Sequence, residues 1–294
     1  MSQTVGLEFI KEPFLRITPR QCLNDPFECL PSESTKEELS KFFKKNSIQV
    51  ENEEVFFNEL NSFIGMHGII SLSESPDNLL MWSHYADEHK GIVVEFEVDE
   101  HDPFDLFITH SPPESSDAKF GRVSYRKSRK YPYDIDEESI HSIRDYYYLS
   151  KSDEWIYEKE YRFITPYTLV NSLICNTKNT HWKKAFQVSG IPIPDKISNN
   201  IVRTDILPPI ENLFPTWFHS HDTGATFLVN INSKRINKIV LGAKADKEKF
   251  LSLMEKYECR DPYKSYYCSF SNKYINVEQA EVDPDRYELV FNKL

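Results

Sequence analysis

Glycine is scarce in this chain, with 8 glycines among 294 residues, whereas an average protein contains about 7% glycine. The glycine-dependent patterns G-x-G-x-x-G, G-x-x-x-x-G-K-[ST] and G-x-S-x-G do not occur. Because these patterns form tight turns around phosphates or around an exposed serine, their absence excludes a Rossmann cofactor loop, a P-loop and an α/β-hydrolase elbow. A nucleotide would have to be bound by a different kind of pocket.

Paired cysteines, long apolar runs and an N-terminal leader pattern are also missing. The five cysteines include no C-x-x-C pair, and they are Cys22, Cys29, Cys175, Cys259 and Cys268. An odd and scattered set predicts reduced thiols, with neither disulfides nor zinc. Residues 1–11 carry no cationic stretch followed by an apolar segment, and no run approaches the roughly 18 apolar residues of a membrane span. We therefore expect a cytoplasmic protein with no membrane partner.

Basic residues are outnumbered, with 35 Lys and Arg against 46 Asp and Glu and a formal net charge of -11. A protein that coats duplex nucleic acid needs many cations on phosphates, so this balance disfavours that class. Only a local basic patch would contact nucleic acid. Hydrophobic residues at 39% and aromatic residues at 14% supply enough apolar surface for a globular core.

Hydrophobic periodicity predicts an α+β fold around a mainly antiparallel sheet. The predicted helices are 38–45, which follows a capping-box spacing, 51–64, 136–149 and 246–257. The predicted strands are 68–73, 91–98, 120–125, 157–165, 226–231, 236–241, 263–270, 274–281 and 286–291. Strands outnumber helices and do not alternate with them, so βαβ units are not expected. We predict one domain over 1–294, with a helical N-terminal excursion and an irregular insertion over about 169–224.

The first group of candidate site residues lies near the N-terminus. Arg16 occupies a predicted strand, and a polar turn with an aromatic ring follows it, with Asn24, Asp25 and Phe27. Asn and Asp side chains commonly bond the backbone of such turns, so an Asx-type turn is one interpretation. The functional interpretation is a nucleotide pocket, because a cation, polar acceptors and a stacking ring occur together.

The second group combines two serines with a later aromatic block. Period-2 alternation places Ser71 and Ser73 on one face of a strand, where small hydroxyls leave room for a ligand. Trp82 and Tyr85 lie at helical spacing, which indicates either core packing or a ligand-contacting face. His84 between them is interpreted as a hydrogen-bond donor, a general base or a paired imidazole.

The third group is acidic and lies in W-x-Y-E-K-E-Y-R. On a strand, Glu158, Glu160 and Arg162 would share one face. One interpretation is a surface ion-pair ladder, which contributes little to stability. The other is a carboxylate that stabilises positive charge developing at a sugar C1 when a leaving group departs.

A basic segment supplies five cations within nine residues, interleaved with tyrosine. These residues are Arg122, Arg126, Lys127, Arg129 and Lys130. Cations mixed with aromatic rings are typical of single-stranded nucleic-acid binding. A solvated charged loop is the alternative interpretation.

Several blocks together resemble a large bacterial family of uncharacterised proteins. They are L-N-D-P-F-E at 23–28, L-M-W-S-H-Y-A at 80–86, V-x-Y at 123–125, W-x-Y-E-K-E-Y-R at 155–162 and I-V-L-G at 239–242. The same blocks look like a divergent ADP-ribosyltransferase. That resemblance implies a split-sheet fold, NAD as substrate, Glu160 as the catalytic residue and Glu158 as the residue that orients the acceptor. It also implies that Arg16 and Ser71 contact NAD.

From this resemblance we expect an NAD-consuming ADP-ribosyltransferase toxin that modifies a cellular macromolecule, with RNA favoured over protein or DNA. The NAD-contacting residues would be Arg16, Asn24, Asp25, Phe27, Ser71, Ser73, Trp82, His84 and Tyr85. Expected partners are a neutralising antitoxin protein and a chaperone. The alternatives are a non-enzymatic module that binds a partner or nucleic acid, and a metal-dependent nuclease using His219, His221 and Asp222. Metal sites usually need three or four ligands, so no metal is expected.

Overall fold

The computed structural model describes residues 1–45, 64–109, 113, 117–136, 139–195, 197–206, 213–257 and 276–294. The chain divides into two compact units. Unit 1 contains Met1–Leu15, Glu74–His110 and Val229–Leu294, and unit 2 contains Arg16–Ser73 and Ser111–Leu228. The interpretation of 1–294 as one domain stays a prediction. Among the described residues, no helix is long and apolar enough to cross a membrane.

The regular elements are short, and strands predominate. The strands are β1 (Phe14–Pro19), β2 (His67–Ser73), β3 (Ile92–Phe96), β4 (Lys119–Arg122), β5 (Ser124–Arg126), β6 (Ser150–Ser152), β7 (Glu160–Pro166), β8 (Ser172–Asn176), β9 (Ile197–Ser198), β10 (Ile201–Asp205), β11 (Thr226–Asn230), β12 (Ile236–Leu241), β13 (Asn276–Val282) and β14 (Leu289–Lys293). The α-helices are α1 (Gln3–Lys11), α2 (Glu33–Lys45), α3 (Leu79–Tyr85), α4 (Ser139–Tyr148), α5 (Trp182–Gln187), α6 (Leu213–Phe218), α7 (Ser220–Thr223) and α8 (Lys247–Tyr257). The 3-10 helices of the described residues are Arg20–Cys22, Pro103–Leu106, Asp153–Glu158, Tyr167–Leu169 and Ser233–Arg235.

Unit 1 is built on a four-stranded sheet in the order β14-β13-β12-β3. Strand β12 pairs antiparallel with β3 and parallel with β13. A core cluster buries Trp82 of α3 with Val240, Ala280 and Leu289. The indole nitrogen of Trp82 donates to the Pro76 carbonyl at 2.6 Å, which satisfies its one polar group inside this core.

Unit 2 is built on the eight-stranded sheet, whose order is β4-β7-β2-β1-β11-β8-β10-β9. The chain crosses from one unit to the other four times, after Leu15 in β1, after Ser73, after His110 and after Leu228 in β11. Strand β2 pairs antiparallel with β1 and with β7, and the β2–β7 register sets Ser71 opposite Arg162 and Ser73 opposite Glu160. A small parallel pair, β5 and β6, adds a second sheet. Aromatic side chains of α4, including Tyr148, pack against Ile69 in the core.

The α+β class and the mainly antiparallel large sheet are confirmed. Strand β12 coincides with its prediction, and α8 follows the Asp246 cap, whose Oδ1 accepts from the Lys249 N–H at 3.1 Å. Strand 120–125 divides into β4 and β5 at Val123. Helix α1 was not predicted. Helix α2 begins at Glu33, earlier than predicted, because Ser32 precedes the helix and its hydroxyl accepts from the Thr35 N–H at 3.3 Å. Thr35 lies within the helix, where its own hydroxyl accepts from the Tyr131 N–H and the Tyr147 hydroxyl.

The irregular insertion predicted over about 169–224 is wrong for the described part of that range. It contains β8, β9, β10, α5, α6 and α7, and three of these are strands of the large sheet. Leu173 and Val202 are fully buried on paired strands, whereas Asn179, Pro192 and Pro194 lie in connections between elements. Most of predicted helix 51–64, all of predicted strand 263–270 and the first two residues of 274–281 lie outside the described residues.

Candidate functional site

Five charged side chains are buried together in unit 2, and each is at most 7% exposed. We call them the charge cluster; they are Glu28, Lys151, Glu158, Glu160 and Arg162. Strand β7 supplies two of them, and β6 supplies the lysine. The others come from the turn after the 20–22 segment and from the end of the 153–158 segment. Charged residues are seldom buried unless they pair with one another, so the cluster is a feature that needs a structural or functional reason.

The predicted strand face is wrong for Glu158. Residues Asp153–Glu158 form a 3-10 helix, Lys159 takes a left-handed conformation with φ of 45°, and β7 begins only at Glu160. The three side chains nevertheless converge, because Lys151 lies 2.6 Å from Glu158 Oε2 and also contacts Glu160. Neither a right-handed helix nor a strand contains the left-handed backbone conformation of Lys159, so the 3-10 helix ends there before β7 begins.

Arg162 is the central cation of the cluster. Its Nε donates to Glu160 Oε1 at 2.7 Å and its Nη2 to Glu160 Oε2 at 2.9 Å, which is a bidentate pair. Nη2 also donates to Glu28 Oε1, and Nη1 donates to the Tyr148 carbonyl at 2.7 Å. The planar guanidinium thus joins β7 to the N-terminal turn and to α4.

Lys151 is the second cation. Its Nζ lies 3.5 Å from both Glu160 Oε2 and Glu28 Oε1, and 4.8 Å from the centre of the Trp155 ring. Three carboxylates therefore share two cations, which leaves the cluster with one excess negative charge. A surface ion-pair ladder is the wrong description, since every member lies in the interior.

Opposite charges in the cluster shift the pKa values of Glu160 and Lys151 in favour of their charged forms. Burial raises the pKa of the Glu160 carboxyl, but Arg162, Lys151 and a hydrogen bond from the Ser71 hydroxyl outweigh burial and hold it below its ordinary value of 4.5. Burial lowers the pKa of Lys151, but its carboxylate neighbours, Glu160 first, raise it above 10.5. Glu160 is therefore an anion and Lys151 a cation near pH 7.

This lowered pKa predicts an acid-sensitive stability. Because the folded protein binds the Glu160 proton less readily than the unfolded chain, its stabilising contribution is complete above the unfolded value of 4.5 and is lost as pH falls through the folded value. We expect the free energy of unfolding to fall between about pH 5 and pH 3 more steeply in the wild type than in Glu160→Gln. Urea unfolding at several pH values measures both slopes, and equal slopes would contradict this assignment.

A cavity of about 210 Å³ adjoins the charge cluster within unit 2, and we call it the first cavity. Its lining includes Glu28 and Lys151 from the cluster, and Asp25 and Phe27 from the turn that precedes Glu28. Phe27 is 58% exposed, so its ring is accessible. The turn predicted from the sequence as a nucleotide pocket therefore lies beside the buried acids.

Asp25 has an incompletely satisfied carboxylate. Oδ1 accepts from the Phe27 N–H at 2.9 Å, which confirms the Asx-type turn. Oδ2 is buried and has no hydrogen-bond partner among the residues that the structure describes. A buried unpaired oxygen is costly, so this carboxylate retains capacity for one further hydrogen-bond donor. Asp25 lines the first cavity, while Oδ2 itself is covered by neighbouring atoms.

The basic segment divides between two environments. Arg126, Lys127 and Arg129 line the first cavity. The guanidinium groups of Arg126 and Arg129 lie 5.2 Å from the rings of Tyr146 and Phe27. Arg122 is on β4, and Lys130 pairs with Glu38 at 2.6 Å. Three of the five cations predicted to bind nucleic acid thus line the same cavity as Asp25 and Phe27, two of the residues predicted to contact NAD.

The two serines join the charge cluster from β2. The Ser71 hydroxyl bonds the Glu160 carboxylate, and the Ser73 hydroxyl donates to the Glu158 carbonyl at 2.8 Å. The Tyr125 hydroxyl accepts from the Glu160 N–H at 2.8 Å and fixes the start of β7. The second and third groups of candidate residues are therefore adjacent through their serines and acids.

Other predicted site residues lie in different surroundings. Arg16 is exposed on β1, and Asn24 is exposed in the turn. Trp82, His84 and Tyr85 belong to α3 of unit 1, where Trp82 is a core residue and the other two are exposed. Core packing is therefore the correct interpretation for Trp82.

His219, His221 and Asp222 were considered above as ligands of a nuclease metal. His219 Nδ1 lies 3.9 Å from Asp222 Oδ2. Among the described residues, no group of three or more His, Cys, Asp or Glu side chains could hold a metal ion.

Sequence reasoning missed two members of the charge cluster, Glu28 and Lys151. Glu28 ends the L-N-D-P-F-E block, so its position in that motif was an available signal. Lys151 has no motif around it, and its role follows only from the pairing of β6 with β5.

The chain is similar to a known protein family over part of its length. No curated protein and no solved structure matches this chain. A family model matches residues 81–163. This range contains Lys151, Glu158, Glu160 and Arg162, whereas Asp25 and Glu28 lie outside it. Residues 81–163 are similar to the family described as "Protein of unknown function (DUF2971)".

Proposed function

We propose that this protein is an NAD-consuming ADP-ribosyltransferase whose site is the first cavity and the adjoining charge cluster. The observation that carries the proposal is a cavity beside the charge cluster that Asp25, the exposed Phe27 ring and two arginines line together. A carboxylate suits ribose hydroxyls, an aromatic ring suits a planar base, and guanidinium groups suit a diphosphate. These are the parts of a dinucleotide.

The charge cluster supplies what the reaction requires. When nicotinamide leaves, positive charge develops at C1 of the ribose, and a fixed carboxylate stabilises that transition state. The cluster carries one excess negative charge, and Arg162 holds Glu160 in a single orientation. We assign Glu160 to charge stabilisation and Glu158 to orientation of the acceptor nucleophile.

The size of the first cavity limits what it holds. Pockets for drug-sized ligands usually measure about 300–1,000 Å³, whereas this one measures about 210 Å³. It therefore suits one nucleoside-sized half of NAD. We assign it to the half that carries nicotinamide, because the C1 of that ribose must lie near the carboxylates.

The acceptor and the biological setting form a second part of the proposal. RNA is the favoured acceptor, and its support is the basic, tyrosine-containing segment between Arg122 and Tyr133. We further propose a cytoplasmic toxin that is neutralised by an antitoxin protein and assisted by a chaperone, on the basis of the sequence resemblance. Expression of the wild-type chain alone in a naive bacterial host should then arrest growth, and normal growth with abundant folded protein would contradict toxicity.

The enzyme proposal predicts that the full-length protein releases nicotinamide from NAD. In Asp25→Asn the Oδ1 bond to Phe27 is retained and the charged oxygen is lost, so we expect KM for NAD to rise about tenfold or more while the fold is unchanged. Chromatography of released nicotinamide measures both KM and kcat. Asp205→Asn is the matched control, since the Asp205 side chain is 77% exposed. Absence of nicotinamide release by a folded wild-type sample, with and without cellular RNA, would reject the proposal.

A further inference from the structure

A second cavity, of about 380 Å³, adjoins the first within unit 2. Three residues line both cavities, namely Arg126, Tyr146 and Ser150. The two spaces therefore share a wall that carries a cation. None of the roles proposed for the first cavity and the charge cluster uses the second cavity.

Three tyrosines line the second cavity, namely Tyr131, Tyr133 and Tyr146. Tyr133 is 63% exposed, and its ring centre lies 5.4 Å from that of Tyr131, which is 3% exposed and meets it at 74°. Tyr131 in turn contacts Tyr146 edge to face at 5.4 Å. The buried Tyr131 ring thus packs against the exposed Tyr133 ring and restricts its orientation. A flat ligand can therefore stack on the Tyr133 ring.

The polar groups of the second cavity suit a base that is attached to a phosphate. Lys119 and Arg126 are its cations, and Asp145 is a carboxylate that already pairs with Lys119 at 2.7 Å and with Arg144 at 2.7 Å. Serine hydroxyls in the lining provide both donors and acceptors. Arg126 lines both cavities, so its guanidinium is placed to hold a phosphate that would link the contents of the two.

We propose that the second cavity binds a nucleobase stacked on Tyr133, with the adjacent phosphate held by Arg126. This inference rests on the proposed function, since it takes the first cavity as the site for half of NAD. The nucleobase has two chemical sources. One is the adenine of NAD itself, and the other is an unpaired base of single-stranded RNA that would accept ADP-ribose.

The test compares three ligands on the full-length protein by calorimetry: NAD, nicotinamide mononucleotide and a single-stranded hexaribonucleotide. The variant is Tyr133→Ala, and the matched control is Tyr287→Ala, because Tyr287 is fully exposed on unit 1. Loss of one base-stacking contact should raise the affected Kd about tenfold. Nicotinamide mononucleotide lacks the second base, so its Kd should not change in Tyr133→Ala.

The pattern of losses identifies the source of the base. Weaker NAD binding in Tyr133→Ala assigns the cavity to adenine, and weaker oligonucleotide binding assigns it to RNA. If all three Kd values are unchanged, or if nicotinamide mononucleotide weakens equally, the inference is overturned. Nicotinamide release by the wild type is measured separately, so failure of the proposed function is distinguishable from failure of this inference.

Discussion

Replacement of Arg162 by leucine is expected to lower the free energy of unfolding by about 3–5 kcal/mol. Arg162 is 1% exposed and donates to Glu160, Glu28 and the Tyr148 carbonyl. Without it, three buried carboxylates would share Lys151 alone. An uncompensated buried charge costs far more than the net gain of an ion pair, so the loss should be large. Urea or guanidinium unfolding followed by fluorescence gives the value.

A double variant keeps this prediction testable if the single variant does not fold. Glu160→Leu combined with Arg162→Leu removes one charge of each sign and leaves the original excess of one negative charge, so it should recover part of the lost stability. Arg286→Ala is the control, since the Arg286 side chain is 74% exposed and pairs with Glu288 at 3.3 Å; it should change stability by less than about 0.5 kcal/mol. A loss below about 1 kcal/mol in Arg162→Leu would contradict the central role of the guanidinium.

Glu160→Gln is expected to lower the rate of nicotinamide release about 10²–10³-fold. The glutamine keeps the shape of the side chain and an oxygen that can accept from Arg162, but it removes the charge that stabilises the ribosyl cation. It also leaves two carboxylates with two cations, so the cluster becomes balanced and the fold should persist. The loss should therefore appear in kcat, with KM for NAD changing much less.

The control for this experiment is Glu154→Gln, an exposed position in the adjoining 3-10 helix. It removes a carboxylate charge from the segment next to β7 and should leave kcat unchanged. Circular dichroism and unfolding curves establish that both variants are folded. If Glu160→Gln retains kcat within about threefold of the wild type, Glu160 is not the stabilising carboxylate. Glu28, which lines the first cavity, would then be the carboxylate to replace.

Local features of the chain were predictable from the sequence. Strand β2, strand β12 and the cap of α8 follow from alternation and from one aspartate, because each depends on neighbours within a few residues. The Asx turn at Asp25 and the common strand face of Glu160 and Arg162 were also visible in local spacing, whereas Glu158 joins them from a 3-10 helix through Lys151. The scarcity of glycine by itself excludes whole classes of nucleotide-binding loop, because those loops need glycine at fixed positions.

The tertiary structure alone decided which of these groups meet and which are buried. Glu28 and Arg162 are 134 positions apart, and Lys151 reaches the acids only because β6 pairs with β5. Periodicity describes which side of an element a residue faces, but it carries no information about the distant segment that covers that side. The residues interpreted from the sequence as a surface ion-pair ladder are therefore buried in the structure, and three cations of the basic segment line a cavity. The reason is that burial and long-range ion pairing depend on contacts between distant segments, whereas sequence patterns report only local geometry.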